Sequence, residues 1–157
     1  MLPLKTILHA TDFSVEADYA FRLACSLARD HGARLVVAHV VAPAPAVAYG
    51  EMLVEPDQAA LDKAWEQIRR IQPPEAAVPV QHRVEQGFAA DEILRLAREL
   101  PADMIVLGTH GRSGLGRLLM GSVAEQVVRK APCPVLVVKP PLRWKQAPEP
   151  EPCGEGI

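Results

Sequence analysis

The feature that most limits the fold of this chain is a change of hydrophobic period that recurs along it. Continuous β-branched apolar runs at 33–41 (ARLVVAHVV), 103–109 (DMIVLGT) and 133–140 (CPVLVVKP) alternate with stretches whose apolar residues recur every three or four positions. Runs of the first kind are the pattern of strands buried on both faces, and the second kind is the pattern of amphipathic helices. A short apolar strand is also expected at 4–10 (LKTILHA), and a more exposed one at 78–87, where Val78, Val80, His82 and Val84 alternate with polar neighbours. The first helical stripe, within 14–31, carries Ala17, Ala20, Phe21, Ala24, Leu27 and Ala28 and stops at Gly32. A second, from Leu61 through Ala64, Trp65 and Ile68 to Ile71, is closed by Pro73 and Pro74. Ile93, Leu96, Ala97 and Leu100 mark a third, and Val123, Val127, Val128 and Ala131 a fourth. The resulting order is β-α-β-α-β-α-β-α-β. Strands separated by helices run parallel with right-handed crossovers, so the expected fold is α/β: one doubly wound, mostly parallel five-stranded sheet with helices on both faces.

Length and composition set the remaining bounds. The 157 residues, 49% of them hydrophobic, suit one domain with an ample core. That domain is expected over 1–140, followed by a Pro-rich, flexible tail at 141–157; the stretch from Pro140 onward holds five of the fifteen prolines. Lys and Arg number 17 against 19 Asp and Glu, a balance that argues against nucleic acid as the main partner. No run approaches the ~18 consecutive apolar residues of a membrane span, so no membrane partner is expected. The opening MLPLKTILHATDFS does not read as a signal peptide, and Cys25, Cys133 and Cys153 form no CxxC pair. A reducing, cytoplasmic setting follows as the expectation.

One segment, GTHGRSGLGRLLMGSV at 108–123, contains Gly108, Gly111, Gly114, Gly116 and Gly121, half of the ten glycines. It fails a Walker A loop because Arg117 and Leu118 stand where Lys and a hydroxyl are required, and it lacks the third glycine of a dinucleotide fingerprint. It also fails the nucleophile-elbow pattern, since Leu115 replaces the last glycine. In GSVAE, Ser122 is expected to cap the last helix with Glu125 three residues on, a capping box. Free amides and the helix dipole make such a terminus a ready anion site. Gly121 would let a phosphate approach the backbone, Gly108 and Gly111 a flat sugar or base edge, with Arg112 and Arg117 adding positive charge. A bland reading stands beside this one: the glycines and Ser122 as turn and cap, Asp12 and Thr11 as turn residues at a strand end, and His9, His39 and His82 as core or satisfied surface histidines. His110 lies in the suspected cleft but has no carboxylate or second histidine at ligand spacing, so neither a metal cage nor a catalytic residue is expected.

The spacing Gly108-x2-Gly111-x9-Gly121-Ser122 resembles the G-2x-G-9x-G-[S/T] signature of the universal stress protein family, in its ATP-binding branch. KTILHATDFS is similar to that family's opening strand and its exit, GARLVVAHVV to its second strand and APCPVLVVK to its last. The resemblance covers residues 1–140. It implies the strand order 3-2-1-4-5 and an ATP cleft between the ends of the first and fourth strands. By position, Ala10, Thr11 and Asp12 would line the cleft, with Asp12 near the adenine-ribose side, and Val40 would meet the adenine through its backbone. Gly108, His110, Gly111 and Arg112 would flank ribose and phosphates, while Gly121, Ser122 and Val123 would hold phosphates. Mg2+ or Mn2+ would arrive with the phosphates, with no protein ligand assigned. The resemblance further implies a homodimer through the last strand, at 134–139, and a nucleotide-dependent stress regulator or sensor read by an unknown downstream protein partner. Two rivals are carried forward: a slow ATPase, and a non-catalytic dimeric interaction module binding another nucleotide such as AMP.

Overall fold

Strands buried on both faces and helices buried along one stripe sort the chain into its layers. The computed structural model describes residues 3–43, 47–48, 51–52, 57–74, 76–109 and 120–141. Its elements, in chain order, are β1 (Thr6–Ala10), α1 (Val15–His31), β2 (Arg34–Val41), β3 (Val47–Ala48), β4 (Glu51–Met52), α2 (Gln58–Arg69), β5 (Val80–Gln86), α3 (Ala89–Glu99), β6 (Met104–Gly108), α4 (Ser122–Lys130) and β7 (Val135–Val138). Five strands form one sheet in the order β5-β2-β1-β6-β7, which is 3-2-1-4-5 when only those five are counted. All four pairings are parallel, so the sheet is wholly rather than mostly parallel. The expected tail at 141–157 falls outside the described residues beyond Pro141.

Alternate residues of each strand feed opposite faces of the sheet. Ile7, Leu35, Val37 and Val106 meet α1 and α2 through Phe21, Ala24 and Ile68. Leu8, Val36, Ile105 and Leu107 meet α3 and α4 through Leu96, Ala97 and Val127. β1, central in the sheet, is the most enclosed, with Ile7, Leu8 and His9 fully buried. Asp103 fastens the start of this arrangement, its carboxylate accepting from the Lys5 and Thr6 amides at 2.8 and 2.9 Å.

Local chemistry explains most of the boundaries. Ser14 caps α1 by accepting from the Ala17 amide, and Gly32 ends that helix in the left-handed conformation at φ 64°. Asp57 caps α2 in the same way, accepting from Ala60. Between β2 and α2, Val47–Ala48 and Glu51–Met52 pair antiparallel. Only Tyr49 and Gly50 separate the two strands in sequence, the loop length that favours a hairpin.

Candidate functional site

The winding of the sheet reverses between β1 and β6: from β1 the chain moves outward to β2 and β5, and then returns to the other side for β6 and β7. The carboxyl ends of β1 and β6 therefore splay apart, and a crevice opens there. A cleft of about 180 Å3 occupies this point, more than ten times the roughly 10–15 Å3 that one water needs on the same kind of measure. Ala10, Thr11 and Asp12 enter it from β1, and Val40 from β2. Gly108 closes it from β6, with Gly121, Ser122 and Val123 at the head of α4. His110, Gly111 and Arg112 lie outside the described residues.

At the β1 exit, the side chains of Thr11 and Asp12 shape the turn as well as the cleft. The Phe13 amide donates to Thr11 Oγ1 at 3.0 Å, and the Ser14 amide donates to Asp12 Oδ1 at 3.0 Å. These two bonds bend the chain so sharply that Phe13 takes a left-handed φ of 63°. Such a conformation is costly for a bulky side chain and is retained where its surroundings demand it. Here the Phe13 ring packs on His39 at a centroid distance of 4.4 Å. His39 Nδ1 lies 2.8 Å from the Thr11 carbonyl, which can only accept, so Nδ1 carries the proton. The Thr11 amide donates to Ala38 at 2.8 Å, so β2 holds the turn from two sides. The turn reading and the cleft reading of Thr11 and Asp12 thus describe one arrangement.

On the opposite wall the structure corrects the expected capping box. The residue at the cap of α4 is Gly121, in extended backbone at φ −70° and ψ 157°, and no side chain caps the helix. Ser122 is already the first helical residue, one position past the cap from which a hydroxyl accepts from the second or third amide of the helix. The amides of Ser122, Val123 and Ala124 have no acceptor within the helix, as at any helix start. The Gly121 amide donates to the Thr109 carbonyl at 2.7 Å, and the Thr109 amide donates to Val138 at 3.0 Å. One hydrogen bond therefore ties the two ends of the glycine-rich segment together, directly over the end of β6.

Gly108 also has a packing constraint behind the cleft wall. A Cβ there would meet the Glu16 carbonyl carbon and Cβ at 3.1 Å and the Glu16 oxygen at 3.2 Å. The first turn of α1 crowds that space, so a side chain at 108 would require the Glu16 backbone to give way by a few tenths of an ångström.

Sequence reasoning left out several cleft residues. His39, read as a core or satisfied surface histidine, lines the cleft, as do Ala89 and Ile93 of α3 together with Leu107 of β6 and Thr109 just after it. The i, i+4 spacing of Ala89 and Ile93 was the available signal for the α3 wall. Thr109 is buried, and its Oγ1 has no hydrogen-bond partner among the described residues. His9, below the cleft, is fully buried with Nδ1 3.0 Å from the Val106 carbonyl. Burial lowers its pKa to about 4, against the opposing pull of that carbonyl and of Asp12 and Asp18. Among the described residues, no three His, Cys, Asp or Glu side chains gather as a metal site would require.

The arrangement has an apolar wall from Val40, Ala89, Ile93 and Leu107, and a polar end built of hydroxyls, the Asp12 carboxylate and a helix N-terminus. A flat apolar group bearing a polar or anionic extension would fit that division, at the switch point of a doubly wound α/β domain. The chain belongs to the universal stress protein family, whose family model matches residues 3–139. A universal stress protein of Methanocaldococcus jannaschii is 36% identical over 148 residues, covering 88% of this chain and 84% of the relative. One from Thermus aquaticus is 39% identical over 140 residues, covering 86% and 98%. The solved structure of UspA from Lactobacillus plantarum superposes with a TM-score of 0.75 at 26% identity, covering 88% of this chain and 99% of that one. A universal stress protein crystallised in complex with cAMP gives a TM-score of 0.60 at 29% identity, covering 88% and 98%. One from Archaeoglobus fulgidus in complex with dAMP gives 0.56 at 25% identity, covering 88% and 100%. No helix among the described residues is long and apolar enough to cross a membrane.

Proposed function

We propose that the cleft binds an adenine nucleotide, with ATP as its physiological ligand, and that the protein is a nucleotide-dependent regulator or sensor in the stress response. The observation that carries this reading is the convergence of residues distant in sequence. Ala10, Thr11, Asp12, Val40, Gly108, Gly121, Ser122 and Val123 all line one cleft at the switch point. The complexes of two structural neighbours with cAMP and dAMP support the ligand class. In this reading the base lies against Val40 and Ile93, and the ribose lies near Asp12. The phosphates meet the amides of Ser122 and Val123, with His110, Gly111 and Arg112 flanking them. A divalent cation, Mg2+ or Mn2+, would come bound to the phosphates, and Asp12 is the acidic side chain in the cleft wall among the described residues. Nucleotide binding shifts the population of states at the surface beside the cleft, and a downstream protein reads that surface. The nucleotide-binding domain spans 1–140, with 141–157 as an appendage, and the protein works in the cytoplasm as a homodimer joined along β7.

A second reading has its own observation. The Archaeoglobus fulgidus neighbour is in complex with dAMP, a nucleotide with a single phosphate. A nucleoside monophosphate such as AMP asks less positive charge of the site than a triphosphate does. Denaturing the purified protein and identifying the released small molecules by mass spectrometry separates the two. Near-stoichiometric ATP supports the sensor, and AMP supports the second reading. ADP, together with steady turnover of added ATP that Asp12→Ala abolishes, would make the protein a slow ATPase instead.

A further inference from the structure

Two sets of hydrogen-bond donors meet at the polar end of the cleft without an acceptor. One is the head of α4, which starts at Gly121 with no side-chain cap, so that its first amides have no acceptor within the helix. The other is the hydroxyl of Thr109. This residue is 8% exposed, lines the cleft, and its Oγ1 has no hydrogen-bond partner among the described residues. A buried hydroxyl left unpaired costs stability, and valine would fill nearly the same space without that cost. Threonine at this position therefore asks for a partner that the described residues do not supply.

The sheet sets the direction of that side chain. The Ile105 amide donates to Pro134 and the Thr109 amide to Val138, both at 3.0 Å, so the ladder with β7 continues one residue past β6. Alternation then puts Thr109 on the same face as Ile105 and Leu107, which pack under α3 and α4. Gly108 belongs to the opposite face, where a Cβ would meet α1. The cleft lies on the α3–α4 face, with Ile93 of α3, Leu107 and the head of α4 in its lining. The Thr109 carbonyl accepts from the Gly121 amide at 2.7 Å, so the threonine stands directly beside that helix head. Rotation about χ1 moves its hydroxyl between staggered positions, which lets it turn to a group entering the cleft.

We infer that Thr109 is a specificity-determining residue of the cleft, its hydroxyl donating to the phosphate held at the head of α4. This inference rests on the adenine-nucleotide reading above. Only an acceptor satisfies both sets of donors, and a phosphate oxygen accepts from amides and a hydroxyl together. The contact selects phosphorylated ligands. A nucleoside leaves the buried hydroxyl unpaired, whereas a nucleotide pairs it, and a site built around such a bond discriminates against the analogue that lacks the group.

The test uses the full chain freed of bound small molecules, with ATP, AMP and adenosine as probes in calorimetry and NMR. Thr109→Val keeps the shape of the side chain and is expected to lower the affinity for the tighter-binding nucleotide roughly tenfold. The affinity for adenosine, which has no phosphate, is expected to stay the same. Without ligand, the Tm of Thr109→Val is expected to rise by about 2–4 °C, because the unpaired hydroxyl is gone. Thr109→Ser keeps the hydroxyl and is expected to keep the nucleotide affinity. The phosphorus resonance of bound AMP is expected to move in Thr109→Val and to stay in place in Thr109→Ser. Undiminished nucleotide affinity in Thr109→Val, an equal loss for adenosine, an equal loss in Thr109→Ser, or a lowered Tm of the unliganded valine variant would each overturn the role of the hydroxyl while leaving the cleft assignment standing. A wild type that binds neither ATP nor AMP would instead remove the nucleotide reading itself, and this inference with it.

Discussion

At the scale of single residues, His9 and Gly108 report on how tightly the floor of the cleft is built. His9 on β1 is paired in register with Val106 on β6, and its ring donates across to that residue's carbonyl. Its folded pKa, lowered by burial to about 4, lies below the unfolded value of 6.5, so between those values the unfolded chain binds more protons. Stability is therefore full above the unfolded pKa and is lost as pH falls toward the folded one. The expected loss between pH 7 and pH 5 is about 2 kcal/mol. Urea titrations at the two pH values should show it, and His9→Gln should flatten that pH dependence whatever it does to stability at neutral pH. Gly108→Ala places a methyl group against the Glu16 backbone, which α1 holds in place. A destabilisation of about 1–2 kcal/mol is expected in the same titration. An unchanged midpoint would mean that α1 shifts easily and that glycine is kept at 108 for another reason.

At the scale of elements, the strands and helices were legible because each carries its period strongly: VVAHVV in β2 and MIVLG in β6 can be little else. What escaped the sequence is geometry set by neighbours. The cap of α4 moved from Ser122 to Gly121 because the bond from the Gly121 amide to Thr109 fixes the entry of the chain, and nothing local to GSVAE encodes that bond. The role of Gly108 depends on α1, a helix some ninety residues earlier in the chain, roughly the separation between Glu16 and Gly108. His39 reads as a core or satisfied surface residue because it sits in a strand, yet it stands near the end of β2 where the core opens into the cleft. The corrected cap makes its own prediction. With no side-chain bond to lose, Ser122→Ala should change stability by less than about 0.5 kcal/mol, while weakening phosphate binding if the hydroxyl faces the ligand. Thermal melts with and without ATP separate the two effects.

At the scale of the whole molecule, the two edges of the sheet differ in chemistry. On β5, Arg83 and Glu85 pair at 2.7 Å, and Arg95 of α3 reaches Glu85 at 2.7 Å and Glu99 at 2.6 Å. Charged side chains on an edge discourage pairing with another chain. The β7 segment, VLVV, carries none. The Ile105 amide donates to Pro134, and the Thr109 amide donates to Val138, so even-numbered positions of β7 face β6. By the alternation of a parallel ladder, Val135 and Val137 direct their amides outward. Val137→Pro removes an outward donor without touching the ladder. Light scattering should find this variant monomeric and folded if β7 joins the proposed dimer, and still dimeric if it does not. The central claim, that the switch-point cleft is a nucleotide site, is tested most directly by calorimetric titration of ATP into wild-type and Gly121→Val protein freed of bound small molecules. The extended backbone at Gly121 is open to valine, so the variant should melt like the wild type. The account predicts one ATP per wild-type chain and no binding to the variant. Equal binding by both proteins, or no binding by the wild type, would contradict it.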